Sequence, residues 1–351
     1  MGFSLYWLIP VLFCSWYVSR EVFRRAESLG LVHLPNERSS HVESTPHGGG
    51  LGVVLVATLS GLLFFFDYIG VVFLLGSFLA ALGLWDDIRS VPARFRFLLQ
   101  SFVVLLLLLW LGALPPFDVL GVELGGWFFL LLVGIAGLWW INLFNFMDGI
   151  DGIASVQVLS VLLSSILIML SSDGSRLEGS LIQVMLLLVA AVLGFLILNW
   201  PPARIFMGDV GSTWLAFMIF AFALLSVKQG WSDYPVWLIL TALFVMDASF
   251  TLLTRLLNGQ KFYEAHRSHA YQKLTRSYQQ RLICSMSERA ARASAHRKVS
   301  LLVLLVNGLW LLPLAWLSAI YPEWGIWLVF LAWLPLCMVV ISMGAGRVNT
   351  I

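Results

Sequence analysis

The chain has 351 residues, of which 60% are hydrophobic and only 11% charged, with a formal net charge of +2. A soluble domain carries roughly 25% charged residues, so a water-soluble globule is excluded. Long apolar runs recur from end to end without the alternation of an outer-membrane barrel, which excludes that class as well.

The expectation is an all-α polytopic membrane protein, a single integral domain over 1–351. Eleven spans are expected, at about 3–19, 48–66, 69–84, 97–114, 127–143, 155–170, 181–198, 212–227, 235–254, 301–320 and 325–343. No basic segment precedes the first run and no A-x-A site follows it, so it reads as a retained helix. Cys14, Cys284 and Cys337 are odd in number and far apart, and make neither a disulfide framework nor a metal site. With these spans, 19 of the 21 Lys and Arg fall in one set of alternate loops, leaving Arg176 and Lys228 in the other. Basic loops face the cytoplasm, so the N-terminus is expected outside and the C-terminus inside.

Five polar stretches fall on the expected cytoplasmic side. "HLPNERSSHVESTPHGGG" (33–50) offers Arg38, His41 and His47 to phosphate, and a glycine run that lets backbone approach a ligand. "GLWDDIRS" (83–90) sets Asp86 beside Asp87, two carboxylates that repel unless a cation or phosphate chemistry engages them. In "INLFNFMDGIDGIAS" (141–155), Asn142, Asn145, Asp148 and Asp151 recur every three residues and share one helix flank. At a membrane boundary such groups are costly unless they face a polar cavity, and Gly149 marks a break or close approach. "NWPPARIFMGDVGS" (199–212) stops one helix at its prolines and starts another near Asp209, a carboxylate suited to a hard divalent cation. "KFYEAHRSHAYQKL" (261–274) carries His266, Arg267 and His269, cations for a pyrophosphate or a proton shuttle. A zinc pair there lacks further ligands nearby. The rest of the 255–300 loop reads as a basic, partly amphipathic helix to Lys298.

Together these motifs resemble the polyprenyl-phosphate N-acetylhexosamine-1-phosphate transferases of the glycosyltransferase 4 group, most like those that initiate lipopolysaccharide O-antigen. The matching stretches, "LPNERSSHVESTPHGGG", "WDD", "NLFNFMDGIDGIAS", "NWPPARIFMGDVGS" and "HRSHAYQ", run from 33 to 274 in family order. The resemblance implies transfer of a sugar-1-phosphate from a UDP-N-acetyl amino sugar to undecaprenyl phosphate, with release of UMP. It also implies Mg²⁺ (or Mn²⁺), a bacterial inner-membrane location, a homodimer, and no nucleic-acid partner. By position it implies Asp209 as metal ligand and Asp86 and Asp87 beside the lipid phosphate. Asn145, Asp148, Gly149 and Asp151 fall on the nucleotide side, and Asn199 and Phe206 near uracil and ribose. His266 and His269 match the histidine loop. Ala265 stands where an aspartate is common in the family, so either histidine remains a candidate. Peptidoglycan or other wall-polysaccharide initiation is the alternative pathway. A transporter is the alternative class, but it calls for polar residues spread through the membrane depth, and here they crowd at one face.

Overall fold

The computed structural model describes residues 3–32, 45–260 and 266–347. In chain order it has α1 (Leu8–Arg25), α2 (Gly50–Ile88), α3 (Ala93–Leu111), a hairpin of β1 (Phe117–Val119) and β2 (Val122–Leu124), α4 (Gly126–Met147) and α5 (Ile153–Ser172). Then follow α6 (Ser180–Asn199), α7 (Gly208–Lys228), α8 (Tyr234–Leu240), α9 (Ala242–Leu257), α10 (Ala270–Ile283), α11 (Glu288–Val306), α12 (Leu312–Ile320) and α13 (Gly325–Ser342). The protein is an all-α polytopic membrane protein.

Among the described residues, eight helical segments are long and apolar enough to cross a membrane, or nine if α8 and α9, bent by 70°, form one span. Eleven spans are expected from the sequence, and the difference lies in two places. α1 carries Arg20, Glu21, Arg24 and Arg25 within its 18 residues and is not among the eight. α2 runs through both the second and the third expected spans.

α2 is nevertheless folded in two. Phe65 (φ −134, ψ 21) interrupts the helix, and a Cβ on Gly61 would lie 2.1 Å from the ring of Phe73. Twelve residues of straight helix cover about 18 Å, so the two arms turn back on each other. At their open end, His47 Nε2 meets the carbonyl oxygen of Asp87 at 2.9 Å. Gly50 and Gly83, at opposite ends of α2, both abut the first turn of α7.

α7 is the central helix, with 94% of its span buried, against 22% for the segment 322–342. Lipid tails are as apolar as leucine, so helix association in a bilayer depends on close packing more than on hydrophobic transfer. Glycine supplies that closeness here. A Cβ on Gly50 would sit 2.5 Å from Gly211 Cα, and one on Gly194 would sit 2.2 Å from the Leu12 carbonyl oxygen. The glycine run 48–50 thus admits the backbone of α7, where the sequence alone suggested a ligand.

The expected basic helix to Lys298 is two helices, α10 and α11, parted at 284–287. Ser287 caps α11 by accepting from the Ala290 N–H at 3.4 Å. α11 then runs through a π turn, Asn307–Leu311, into α12. Pro313, which has no N–H to give to the ladder, follows that turn.

Candidate active site

The start of α7 is built by backbone pairing. Phe206 N–H donates to the Pro46 carbonyl at 2.9 Å, Gly49 N–H to Phe206 at 2.8 Å, and Gly50 N–H to Met207 at 2.9 Å. Gly208, at φ +77, turns the chain into the helix, a conformation that favours glycine. The first turn of α7 has orphan N–H groups, and the buried carboxylate of Asp87 takes two of them. Asp209 N–H donates to it at 2.9 Å and Val210 N–H at 3.0 Å. An anion at a helix N-terminus is favourable on both hydrogen-bond and dipole grounds. Asp87 therefore fixes where the side chain of Asp209 stands.

That side chain lines a cavity of about 460 Å³, together with His47, Asp86, Asp87, Arg96, Asn145, Asp148, Gly149, Asn199 and Phe206. The second, third and fourth polar stretches thus meet with the end of the first at one end of the bundle. Asp86 accepts from the Val91 N–H at 2.6 Å and from Arg96, and the same Arg96 nitrogen reaches Asp209 at 3.1 Å. Arg96 was only a loop charge in the sequence, and nothing in "PARFR" distinguishes it from Arg94. Its position becomes visible once α3 folds back beside α2 and α7.

Asp148 follows the last turn of α4. Burial first, then the negative charges of Asp87 and Asp151, push its carboxyl up to about 7. His47 is held below the ordinary imidazole range by burial, which outweighs its bond to the Asp87 carbonyl.

Other expected residues stand elsewhere or are engaged by backbone. Asn199 lines the cavity, but its amide accepts from the Gly152 N–H at 3.0 Å and donates to the Ile205 carbonyl at 3.0 Å. It ties the loop after α6 to the start of α5. Asp151 is not among the lining residues. Its carboxylate accepts from the Ala203 N–H at 3.0 Å and pairs with His296 Nδ1 at 3.1 Å, while Ser300 donates to its carbonyl at 2.9 Å. His296 lies 145 positions away in sequence and carries no motif that announces it.

His266, Arg267 and His269 do not line the cavity either. The two histidine rings stack with centroids 4.8 Å apart, and His269 caps α10 in a reciprocal arrangement with Gln272. Burial, aided by His269 and Arg255, lowers His266 to about 3. Asp247 in α9 accepts from the Ala270 and Tyr271 N–H groups, each at 2.9 Å, and lies 3.4 Å from His269 Nδ1. Asp247 thus seats the start of α10 as Asp87 seats the start of α7. Arg38 and Ala265 lie outside the described residues.

Next to the polar cavity runs an apolar groove of about 840 Å³ between α3 and α4, with walls such as Phe97, Ile135, Leu138 and Trp139. Asp86, Arg96, Asn145 and Asp209 line both spaces. A charged pocket and an apolar channel therefore meet at four side chains.

Comparison with known proteins shows the family. The family model for glycosyl transferase family 4 matches residues 69–227, which include Asp86, Asp87, Arg96, Asn145, Asp148, Asp151, Asn199, Phe206 and Asp209. The chain is 32% identical over 266 residues to a probable undecaprenyl-phosphate N-acetylglucosaminyl 1-phosphate transferase of Bacillus subtilis, covering 72% of each chain. It is 27% identical over 301 residues to the decaprenyl-phosphate N-acetylglucosaminephosphotransferase of Mycobacterium tuberculosis, covering 74% of this chain and 72% of the relative. The protein of the same name from Mycobacterium leprae is 27% identical over 290 residues, 71% of each. The chain belongs to glycosyl transferase family 4, and it is a sugar-phosphate transferase of the membrane.

Proposed function

We propose that the chain transfers an N-acetylhexosamine-1-phosphate from a UDP-amino sugar to undecaprenyl phosphate, releasing UMP, at the cytoplasmic face of a bacterial inner membrane. One observation carries this reading: the polar cavity and the apolar groove share Asp86, Arg96, Asn145 and Asp209. A lipid lying in the groove presents its headgroup at the charged residues, while a water-soluble nucleotide enters from the polar side. An oxygen of the lipid phosphate attacks the β-phosphorus of the donor. The bond from that phosphorus to the bridging oxygen breaks, and UMP leaves with the electron pair.

A phosphate nucleophile has a second pKa near 6 and needs little base assistance at neutral pH. The obstacle is repulsion between two anions. The guanidinium of Arg96, where cavity and groove meet, offsets part of it. Mg²⁺ binds proteins through one or two carboxylates and takes its other ligands from water and substrate phosphates. Asp209 and Asp86, neighbours across Arg96, fit that sparse demand, with Mn²⁺ as the alternative ion. Bound there, the cation would neutralise the diphosphate and the departing UMP.

The names of the relatives favour N-acetylglucosamine as the sugar. The resemblance of "HRSHAYQ" to the O-antigen initiators favours lipopolysaccharide as the pathway, with wall polysaccharide as the second reading. The loop charges support an outside N-terminus and a cytoplasmic C-terminus, and family likeness supports a homodimer. The test is UMP release by purified protein given undecaprenyl phosphate, Mg²⁺ and a panel of UDP-N-acetyl sugars. Lipid-dependent release with at least one sugar is expected. Its absence with every sugar, under conditions where the Bacillus subtilis relative turns over, would sink the reading.

A further inference from the structure

The histidine segment stands outside the cavity, yet the helix that follows it touches the cavity wall. Tyr271, one residue into α10, is buried at 6% exposure. Its N–H is held by Asp247 at 2.9 Å, and its hydroxyl donates to the Phe146 carbonyl at 3.1 Å. Phe146 O belongs to the last turn of α4, where the intrahelical ladder has run out of donors and an outside partner is needed. Two residues further on comes Asp148. Gly149, which follows it, lines the cavity, and a Cβ added there would lie 2.0 Å from the Tyr271 hydroxyl and 3.2 Å from its Cζ. Real Cβ atoms do not tolerate the first distance, so the hydroxyl occupies the space that any side chain at 149 would need.

We propose that Tyr271 is a positioning residue for the transfer: its hydroxyl clamps the 146–149 turn and so sets the place of Asn145 and Asp148 in the donor cavity. This inference rests on the transferase reading above and deepens it. It also gives the fifth polar stretch a part in the site that does not depend on its histidines touching substrate. The chain of support runs from Asp247 in α9, through the start of α10, to the turn after α4. α10 joins α9 to that turn as a strut, and the tyrosine is its tip. A phenylalanine at 271 keeps the packing and loses the clamp. An alanine at 149 keeps the clamp and forces the turn away from it.

The experiment measures kcat and the donor KM for wild type, Tyr271→Phe, Gly149→Ala, the Tyr271→Phe/Gly149→Ala double variant, and Asp148→Asn with and without Tyr271→Phe. Thermal midpoints are recorded beside them. Tyr271→Phe should lower kcat/KM for the donor by roughly five- to tenfold, the scale set by one net hydrogen bond. Gly149→Ala should lose more. The double variant should recover part of that loss, because without the hydroxyl the new methyl meets Cζ of residue 271 and Nε2 of Gln272, each at 3.2 Å, distances that small shifts of a ring and a flexible amide relieve. With Asp148→Asn already present, Tyr271→Phe should change the rate by less than about twofold, since the hydroxyl acts through that turn. A merely structural tyrosine would lower the midpoint and produce neither the rescue nor the coupling. A double variant worse than Gly149→Ala, or multiplicative effects of Tyr271→Phe and Asp148→Asn, overturns the proposal while leaving the transferase reading intact. Absence of lipid-dependent UMP release in the wild type overturns the transferase reading instead.

Discussion

Asp87→Asn separates two roles that sequence alone assigned jointly to adjacent aspartates. In the structure both oxygens of Asp87 are used by backbone, at 2.9 Å to Asp209 N–H and 3.0 Å to Val210 N–H. The amide retains one acceptor. It places an NH₂ against the other N–H, leaves a buried donor unpaired and removes the charge that favours the helix N-terminus. A lost charge-assisted bond and an unsatisfied donor cost about 1–3 kcal/mol each, and a lost cap about 1 kcal/mol. A total of about 3–7 kcal/mol follows. At about 2–4 °C per kcal/mol for a large domain, the midpoint should fall by about 5 °C or more. Asp209 heads the loosened turn, and a displacement of about 1 Å at a reacting centre can cost about 100-fold in rate. Thermal unfolding in detergent and lipid-dependent UMP release, measured on one preparation, provide the assay. If activity vanishes while the midpoint is unchanged, Asp87 acts in the chemistry and the capping argument is wrong.

Asp148, whose carboxyl is pushed up to about 7, gives a pH prediction with a definite sign. Between its ordinary value and 7 the folded protein holds a proton that the unfolded chain has released. Stability should therefore fall as pH rises through that window. Asp148→Asn should remove both that slope and an inflection near pH 7 in the kcat/KM profile. Gly50→Ala, with a Cβ 2.5 Å from Gly211 Cα, should prevent α2 from seating on α7, and yield of folded protein after detergent extraction reads this directly. Chelation of divalent ions should abolish turnover without unfolding the protein, and added Mg²⁺ or Mn²⁺ should restore it. Asp151→Asn should lower the thermal midpoint, since it alters the contact with His296 Nδ1 and weakens the bond from Ala203, yet should change donor KM by less than about threefold. A larger change in donor KM with an unaltered midpoint would put Asp151 in contact with the nucleotide.

Much of the fold was legible because its signals are local. Apolar runs marked the spans, and the prolines and glycines of "NWPPARIFMGDVGS" marked one helix end and the next start. The stretches that build the cavity were also legible, since acids and amides at a membrane boundary need a polar cavity. The roles within them were harder to read, because they depend on direction and on partners far away in sequence. Asp86 and Asp87 are adjacent, but about 100° apart around a helix, so one pairs with Arg96 while the other caps α7. Asp148 and Asp151 share a spacing, yet the second pairs with a histidine 145 positions away. The reversal at Phe65 was legible, since one expected span ends at 66 and the next starts at 69, on either side of Asp67. Arg96 gained its role from two carboxylates, one of them 113 positions distant.

The most direct test is undecaprenyl-phosphate-dependent UMP release by the wild type and by Asp209→Asn, purified side by side in the same detergent. The account predicts release matched one-for-one by a lipid diphospho-sugar of the expected mass in the wild type. It predicts none in Asp209→Asn at an unchanged thermal midpoint. Near-normal, Mg²⁺-dependent release by Asp209→Asn would contradict it.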